Sequence, residues 1–252
     1  MPLISISGGA LFAERLGSDP PRVLALHGWG RRGADFGAAL AGLDALALDL
    51  PGFGASPPPP TGIGAAGYAE LIDPVFAWFD QPPVVLGHSF GGRVAVAREA
   101  ARPDSASGLL LVGSPLVRRP GRSRRPPLTY RLVRLAHGWG ILSDQRLEAE
   151  KRRHGSADYR AVSGVMRDVL VAVVNESYEE ELGKIRVPVR LLWGGDDSEV
   201  PLAIAQRAAQ ILGQSGGRVE LEVLEGIGHH VPLSAPAALA SAVRAMLAEV
   251  SS

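Results

Sequence analysis

Short runs of consecutive apolar residues recur along the chain, each followed by a glycine-rich or polar turn and then by residues with helical spacing. Arg22–His27, Leu43–Asp49, Val84–Leu86, Gly108–Gly113, Val187–Trp193 and Arg218–Leu224 read as strands. Ala34–Ala41, Tyr68–Phe79 (bent at Pro74), Arg93–Ala101, Leu202–Leu212 and Pro236–Val250 read as helices between or after them. At the start, Leu3–Ser7 and Leu11–Leu16 alternate around Gly8-Gly9 and predict a β-hairpin. Most of the later runs are continuous rather than alternating. Such strands are buried on both faces, which predicts an α/β fold with a mostly parallel sheet and helices on both sides.

The alternation stops after Ser114. From there to about Lys184 the spacing is helical, with no clear strand, and strand rhythm returns at Val187. The expected organisation is a core of residues 1–116 and 185–252 with a helical cap, 117–184, inserted between two strands. A chain of 252 residues suits one such domain better than two. Apolar residues that recur three or four apart in the insertion are candidates for the roof of a pocket: Leu132, Leu135, Trp139, Ile141, Leu142, Val162, Val165, Met166, Leu170 and Val174.

Charge narrows the partners. Lys+Arg and Asp+Glu both total 26, so nothing global favours nucleic acid or a membrane surface. Residues 116–153 nevertheless hold eleven basic side chains against three acidic ones. This segment has two readings: a solvated, Pro-rich loop, or a positive rim that biases the protein toward anionic substrates. No run is long and apolar enough to span a membrane, and Met1–Ile6 carries no basic, apolar leader pattern, so a cytoplasmic setting is expected. The absence of Cys excludes disulfides, thiolate metal sites and a Cys nucleophile.

Three stretches carry chemistry. Gly87-His88-Ser89-Phe90-Gly91 follows the apolar run at Val84 and precedes a helix. In that context Gly-x-Ser-x-Gly reads as a nucleophile elbow: a sharp turn exposes the Ser89 hydroxyl, crowding leaves no room for side chains at Gly87 and Gly91, and the Phe90 amide can donate to an oxyanion. A serine needs a base, and the base needs a carboxylate to orient it. Asp196 and Asp197 follow the strand ending at Trp193, and His229 and His230 follow the strand ending at Leu224. Those loops lie at the carboxyl ends of parallel strands, where open α/β sheets build their sites. The alternatives are a turn-forming Asp pair and a metal-binding His pair; adjacent histidines project apart and no third ligand is evident. His27 and His88 read as packing or supporting groups.

These motifs, in the order Ser, Asp, His, resemble the α/β-hydrolase family from about residue 22 to the C-terminus, with an esterase-like set. His27-Gly28-Trp29-Gly30 is similar to that family's oxyanion loop, which implies the Trp29 amide as partner to that of Phe90. The Gly-x-x-Asp before Pro201 implies Asp197 rather than Asp196 as the acid, and Gly-x-Gly-His implies His229 rather than His230 as the base. Asp49–Ser56 resembles the loop after the second core strand. The resemblance implies a serine hydrolase acting on an ester or related small acyl substrate, without cofactor or metal. C–C bond hydrolases, thioesterases, acyltransferases and cofactor-free haloperoxidases share that triad, and a ligand receptor on a hydrolase scaffold is the non-enzymatic alternative.

Overall fold

The computed structural model describes residues 2–118 and 157–251. Eight strands form one sheet: β1 (Leu3–Ile6), β2 (Leu11–Leu16), β3 (Val23–Leu26), β4 (Ala45–Asp49), β5 (Val84–His88), β6 (Gly108–Val112), β7 (Val189–Gly194) and β8 (Val219–Leu224). Their order is β1-β2-β4-β3-β5-β6-β7-β8. β2 runs against both its neighbours, and every pairing from β4 to β8 is parallel. The chain travels outward from β3 to β4, then returns to β5 and moves the other way. The order therefore reverses between β3 and β5, and such a switch point opens a crevice at the carboxyl ends of the two strands.

β3, β4, β5 and β6 are buried at every residue, as continuous apolar runs predict. Their side chains divide between two cores. Leu24, Leu26, Val85 and Leu109 pack with α1 (Ala65–Leu71), α2 (Phe90–Ala101) and α6 (Leu202–Gln214) on one face. Val23, Ala25, Leu86 and Leu110 pack on the other with Leu239, Val243 and Met246 of α7 (Pro236–Val250). β8 closes the sheet as a half-exposed edge. In the insertion, α3 (Ala157–Ala161), α4 (Val165–Asn175) and α5 (Glu179–Leu182) are helical as expected. Leu132, Leu135, Trp139, Ile141, Leu142 and all the arginines of 119–153 lie outside the described residues. Among the described residues no helix is long and apolar enough to cross a membrane.

Two expected helices differ. Ala34–Ala41 forms only a 3₁₀ turn, Gly33–Phe36, followed by irregular turns. The Gly33 N–H is held by the Asp49 carboxylate at 2.8 Å, and a Cβ at Gly33 would meet the Ala47 carbonyl at 2.3 Å, so tertiary contact sets this backbone. Gly37 and the left-handed Gly42 (φ 74°) also weaken a helix there. Tyr68–Phe79 becomes α1, starting at Ala65, and a separate 3₁₀ helix Asp73–Trp78. Pro74 has no N–H to continue the first helix and sits instead at the start of the second.

Two imidazoles are sealed into this core, His27 after β3 and His88 at the end of β5. His27 donates from Nδ1 to the Gly28 carbonyl (2.7 Å) and accepts the Leu50 N–H at Nε2 (2.9 Å), which requires the neutral ring. Burial lowers its pKa to about 4 and that of His88 to about 3. Both rings are neutral when folded, but the unfolded chain protonates them below about pH 6.5. Stability is thus intact above that pH and falls by about 1.4 kcal/mol per pH unit for each ring as the solution is acidified, down to about pH 4 for His27 and about pH 3 for His88. Urea unfolding between pH 7 and 5 checks this. His88→Gln should lose one ring's share of the slope; equal slopes in the two proteins would mean that His88 charges in the folded state.

Candidate active site

Ser89 stands between β5 and α2 with φ 50° and ψ −110°, one of three non-glycine residues at positive φ among those described. Such a backbone is costly and persists only where its surroundings enforce it. Here they do. A Cβ at Gly87 would lie 2.5 Å from the Gly92 Cα, and one at Gly91 would lie 2.0 Å from the Leu26 carbonyl oxygen. Helix α2 therefore begins hard against β3 and β5, and the turn throws the serine outward. The Ser89 N–H donates to the Val112 carbonyl of β6 (2.8 Å), which anchors the turn in the sheet.

His229 and Asp197 arrive from the two neighbouring loops. His229 Nε2 lies 3.0 Å from Ser89 Oγ, and Nδ1 lies 2.8 Å from Asp197 Oδ2. Because a carboxylate only accepts, Nδ1 carries the hydrogen toward Asp197, leaving Nε2 to accept from the serine hydroxyl. The other oxygen of Asp197 accepts the N–H groups of Glu199 (2.9 Å) and Val200 (2.7 Å), so the buried carboxylate is held at both ends. Gly113 (φ 52°) floors the pair: a Cβ there would come within 3.2 Å of His229 Nδ1 and 3.3 Å of Asp197 Oδ2. The acid and base loops also brace each other, with the Asp196 N–H donating to Ile227 O at 2.9 Å. Asp196 and His230 themselves are exposed. Of each adjacent pair, the structure brings Asp197 and His229 into the hydrogen-bonded chain.

The loop after β3 presses on the same serine. A Cβ at Gly28 would lie 3.2 Å from Ser89 Cβ and 2.9 Å from His88 Nδ1. Among the described residues neither the Trp29 N–H nor the Phe90 N–H meets an acceptor, and Phe90 opens α2, where amides point out of the helix. Trp29 is fixed by edge-to-face contacts to Phe53 (5.0 Å) and Phe90 (5.6 Å), and Phe90 in turn by Tyr68 (4.9 Å). Tyr68 donates its hydroxyl to the Pro51 carbonyl (2.9 Å), and the Asp49 carboxylate accepts the Ala55 N–H (2.8 Å). The Asp49–Ser56 loop is thereby a rigid support for this aromatic wall. Met166 of α4 sits over it, with its sulfur against Gly52. Val162 and Val165 are half-buried and Leu170 is buried, whereas Val174 is exposed.

Sequence reasoning missed two features. Glu199 brings a carboxylate oxygen to 3.9 Å from His229 Nε2 and the other to 3.9 Å from His230 Nε2, so a negative charge stands at the mouth of the site. Phe53 and Tyr68 lock the Trp29 loop, and no local pattern marked them for that task. A large open concavity of about 880 Å³, lined by Asp19, Arg22, Asp44 and Asp104 among others, lies at the opposite, amino-terminal edge of the sheet. It is remote from the serine and holds no comparable chain of groups; chemistry, not size, marks the carboxyl edge as the site.

Residues 23–242 match the model of the alpha/beta hydrolase family. Lipase LipV of Mycobacterium tuberculosis is 30% identical over 265 residues, covering 94% of this chain and 97% of that protein. A pimeloyl-[acyl-carrier protein] methyl ester esterase of Chromobacterium violaceum is 39% identical over 108 residues; that match spans only 41% of this chain and 41% of that protein. Among solved structures, the thioesterase domain from the curacin biosynthetic pathway superposes with a TM-score of 0.69 at 23% identity, covering 96% of this chain and 98% of that one, a likeness of fold. With that match running from residue 23 to residue 242, the chain belongs to the alpha/beta hydrolase family.

Proposed function

We propose that this protein is a serine esterase, cleaving a carboxylic ester or related small acyl compound through an acyl-enzyme. The observation that carries the reading is the unbroken chain from Ser89 Oγ through His229 to Asp197, at 3.0 and 2.8 Å. His229 Nε2 takes the hydroxyl proton as Oγ bonds to the acyl carbon. Asp197 keeps the ring in the tautomer that can do so and steadies the imidazolium. The Trp29 and Phe90 amides receive the oxyanion, whose stabilisation by preorganised donors is commonly the largest electrostatic contribution. His229 then returns the proton to the leaving alcohol as the C–O bond breaks. A water molecule, deprotonated by the same ring, releases the acid. Relatives named a lipase and a methyl ester esterase support an ester as the substrate. Residues 117–184 serve in this proposal as a cap beside the acyl site, and Met166 supports it by its contact with the Gly52 loop.

Ser89→Ala should lower kcat by roughly 10⁴ to 10⁶ and abolish labelling by a fluorophosphonate probe, with stability nearly unchanged. Asp197→Asn and His229→Ala should each cost orders of magnitude; Asp196→Asn and His230→Ala should cost far less. Turnover surviving in Ser89→Ala, or the larger loss falling on Asp196 or His230, would overturn the assignment.

Substrate charge is a separate matter. An anionic preference would have to come from the arginines of 118–153, all but Arg118 outside the described residues. Glu199 acts in the opposite sense, with its carboxylate 3.9 Å from His229 Nε2. We therefore expect selection against anionic acyl groups. In low salt, Glu199→Gln should raise kcat/KM for p-nitrophenyl hemisuccinate relative to p-nitrophenyl butyrate by about threefold to tenfold. The gain should fade at high salt, because the Debye length is about 8 Å at physiological ionic strength and shrinks further. If that ratio instead stays fixed in Glu199→Gln and falls when Arg122, Arg124 and Arg125 become Gln, the arginines govern the choice.

A further inference from the structure

We propose that His88 is a positioning residue that holds the His229 backbone, and with it the base, at the correct distance from Ser89. The inference rests on the reading of Ser89 and His229 as nucleophile and base, and adds a group that this reading does not use. His88 is the last residue of β5, adjacent to the serine in the chain, and only 4% of it is exposed. Its Nε2 lies 3.0 Å from the His229 main-chain carbonyl, 141 residues away in sequence. A carbonyl can only accept, so His88 Nε2 carries the hydrogen and donates it. Among the described residues this is the only hydrogen bond to the main chain of His229; the neighbouring bonds hold Ile227 and His230.

The ring is fixed from its other side as well. A Cβ on Gly28 would come within 2.9 Å of His88 Nδ1, so the Trp29 loop packs against the edge of the imidazole that faces away from His229. The His88 and His229 rings lie 5.1 Å apart. His88 is therefore wedged between the loop that carries the proposed oxyanion donor and the loop that carries the base. One side chain sets the spacing of three separate segments around the serine. Its neutrality suits that place. An imidazolium must form on His229 during the reaction, and a cation 5 Å away would oppose it. Burial keeps His88 uncharged, so it supplies a donor without supplying a charge.

The test compares donors of different reach. Gln can bring an amide N–H to roughly the position of histidine Nε2; Asn is too short, and Leu has no donor. His88→Leu and His88→Asn should lower kcat about 10-fold to 100-fold with KM within about twofold, the signature of a displaced base rather than a lost binding contact. His88→Gln should recover kcat to within about threefold of wild type. Thermal unfolding of each variant separates misfolding from misplacement, and if His88→Leu fails to fold, the Asn and Gln pair decides. Folded Asn or Leu variants that keep wild-type kcat would overturn the proposal, as would a Gln variant no better than Asn. The rate of labelling by the fluorophosphonate probe reads the same geometry without any ester. If wild type cleaves no ester yet labels at a rate that Asn slows and Gln restores, the esterase reading fails and the role of His88 stands.

Discussion

Everything at the carboxyl edge depends on how closely the first turn of α2 is pressed against β3 and β5. The Leu26 carbonyl would lie 2.0 Å from any Cβ at Gly91, and the Gly92 Cα 2.5 Å from one at Gly87. That contact forces Ser89 into a left-handed backbone and lifts its side chain out of the sheet. It also leaves the first amides of α2 without partners inside the helix. The strain is offset by the two fully buried strands beneath it, β3 paired with β5 and β5 paired in turn with β6, which lock the turn from below. An elbow of this kind can exist only over a well-packed parallel sheet, which is why the fold and the chemistry are inseparable here.

Charge at the site is managed by giving each group a definite partner. Asp197 is buried, yet its oxygens face two N–H groups and one imidazole N–H, so the desolvated carboxylate keeps its hydrogen bonds. Asp49 is treated likewise, with the Gly33 and Ala55 amides on its two oxygens, and it carries the loop on which the aromatic wall rests. His27 and His88 take the other course. They are buried as neutral rings and act through single, directed donors. A low-dielectric setting strengthens each of these contacts, and it makes the loss of any partner costly.

Much of this was legible in the residues. Continuous apolar runs located the strands to within a residue or two, because burial on both faces leaves no room for polar positions. The loops whose side chains meet at Ser89, Asp197 and His229 were legible because each carries particular residues at fixed spacing. The Ala34–Ala41 segment misled because its spacing is helical while its backbone is set by Asp49, sixteen residues beyond Gly33. Nothing local announces such a contact. Glu199 escaped for a similar reason: it reads as a surface turn residue until the strand registers bring its loop beside His229. Phe53 and Tyr68 look like ordinary core aromatics, and only their edge-to-face contacts reveal what they hold.

The insertion after β6 raises a physical question of its own: how can a long segment leave the sheet and return without loosening the serine beside it? The answer lies in the stem. The Tyr178 N–H donates to the Leu116 carbonyl at 2.9 Å, so the outgoing and returning chains are hydrogen-bonded where the insertion begins and ends. Arg93, one turn beyond the elbow, donates to the Pro115 carbonyl on the outgoing side (3.1 Å) and to the Val173 carbonyl on the returning side. Its guanidinium also lies over the Tyr178 ring, 5.9 Å from the centroid. The helix that follows the Ser89 turn therefore clamps both ends of the insertion. With the ends held together, the entropy of closing the intervening chain grows only slowly with its length. The segment between can then differ in length and charge while the Ser89 turn keeps its geometry. A fold built this way separates the hydrogen-bonded chain on the sheet, whose geometry the turn fixes, from a segment whose length bears on it little.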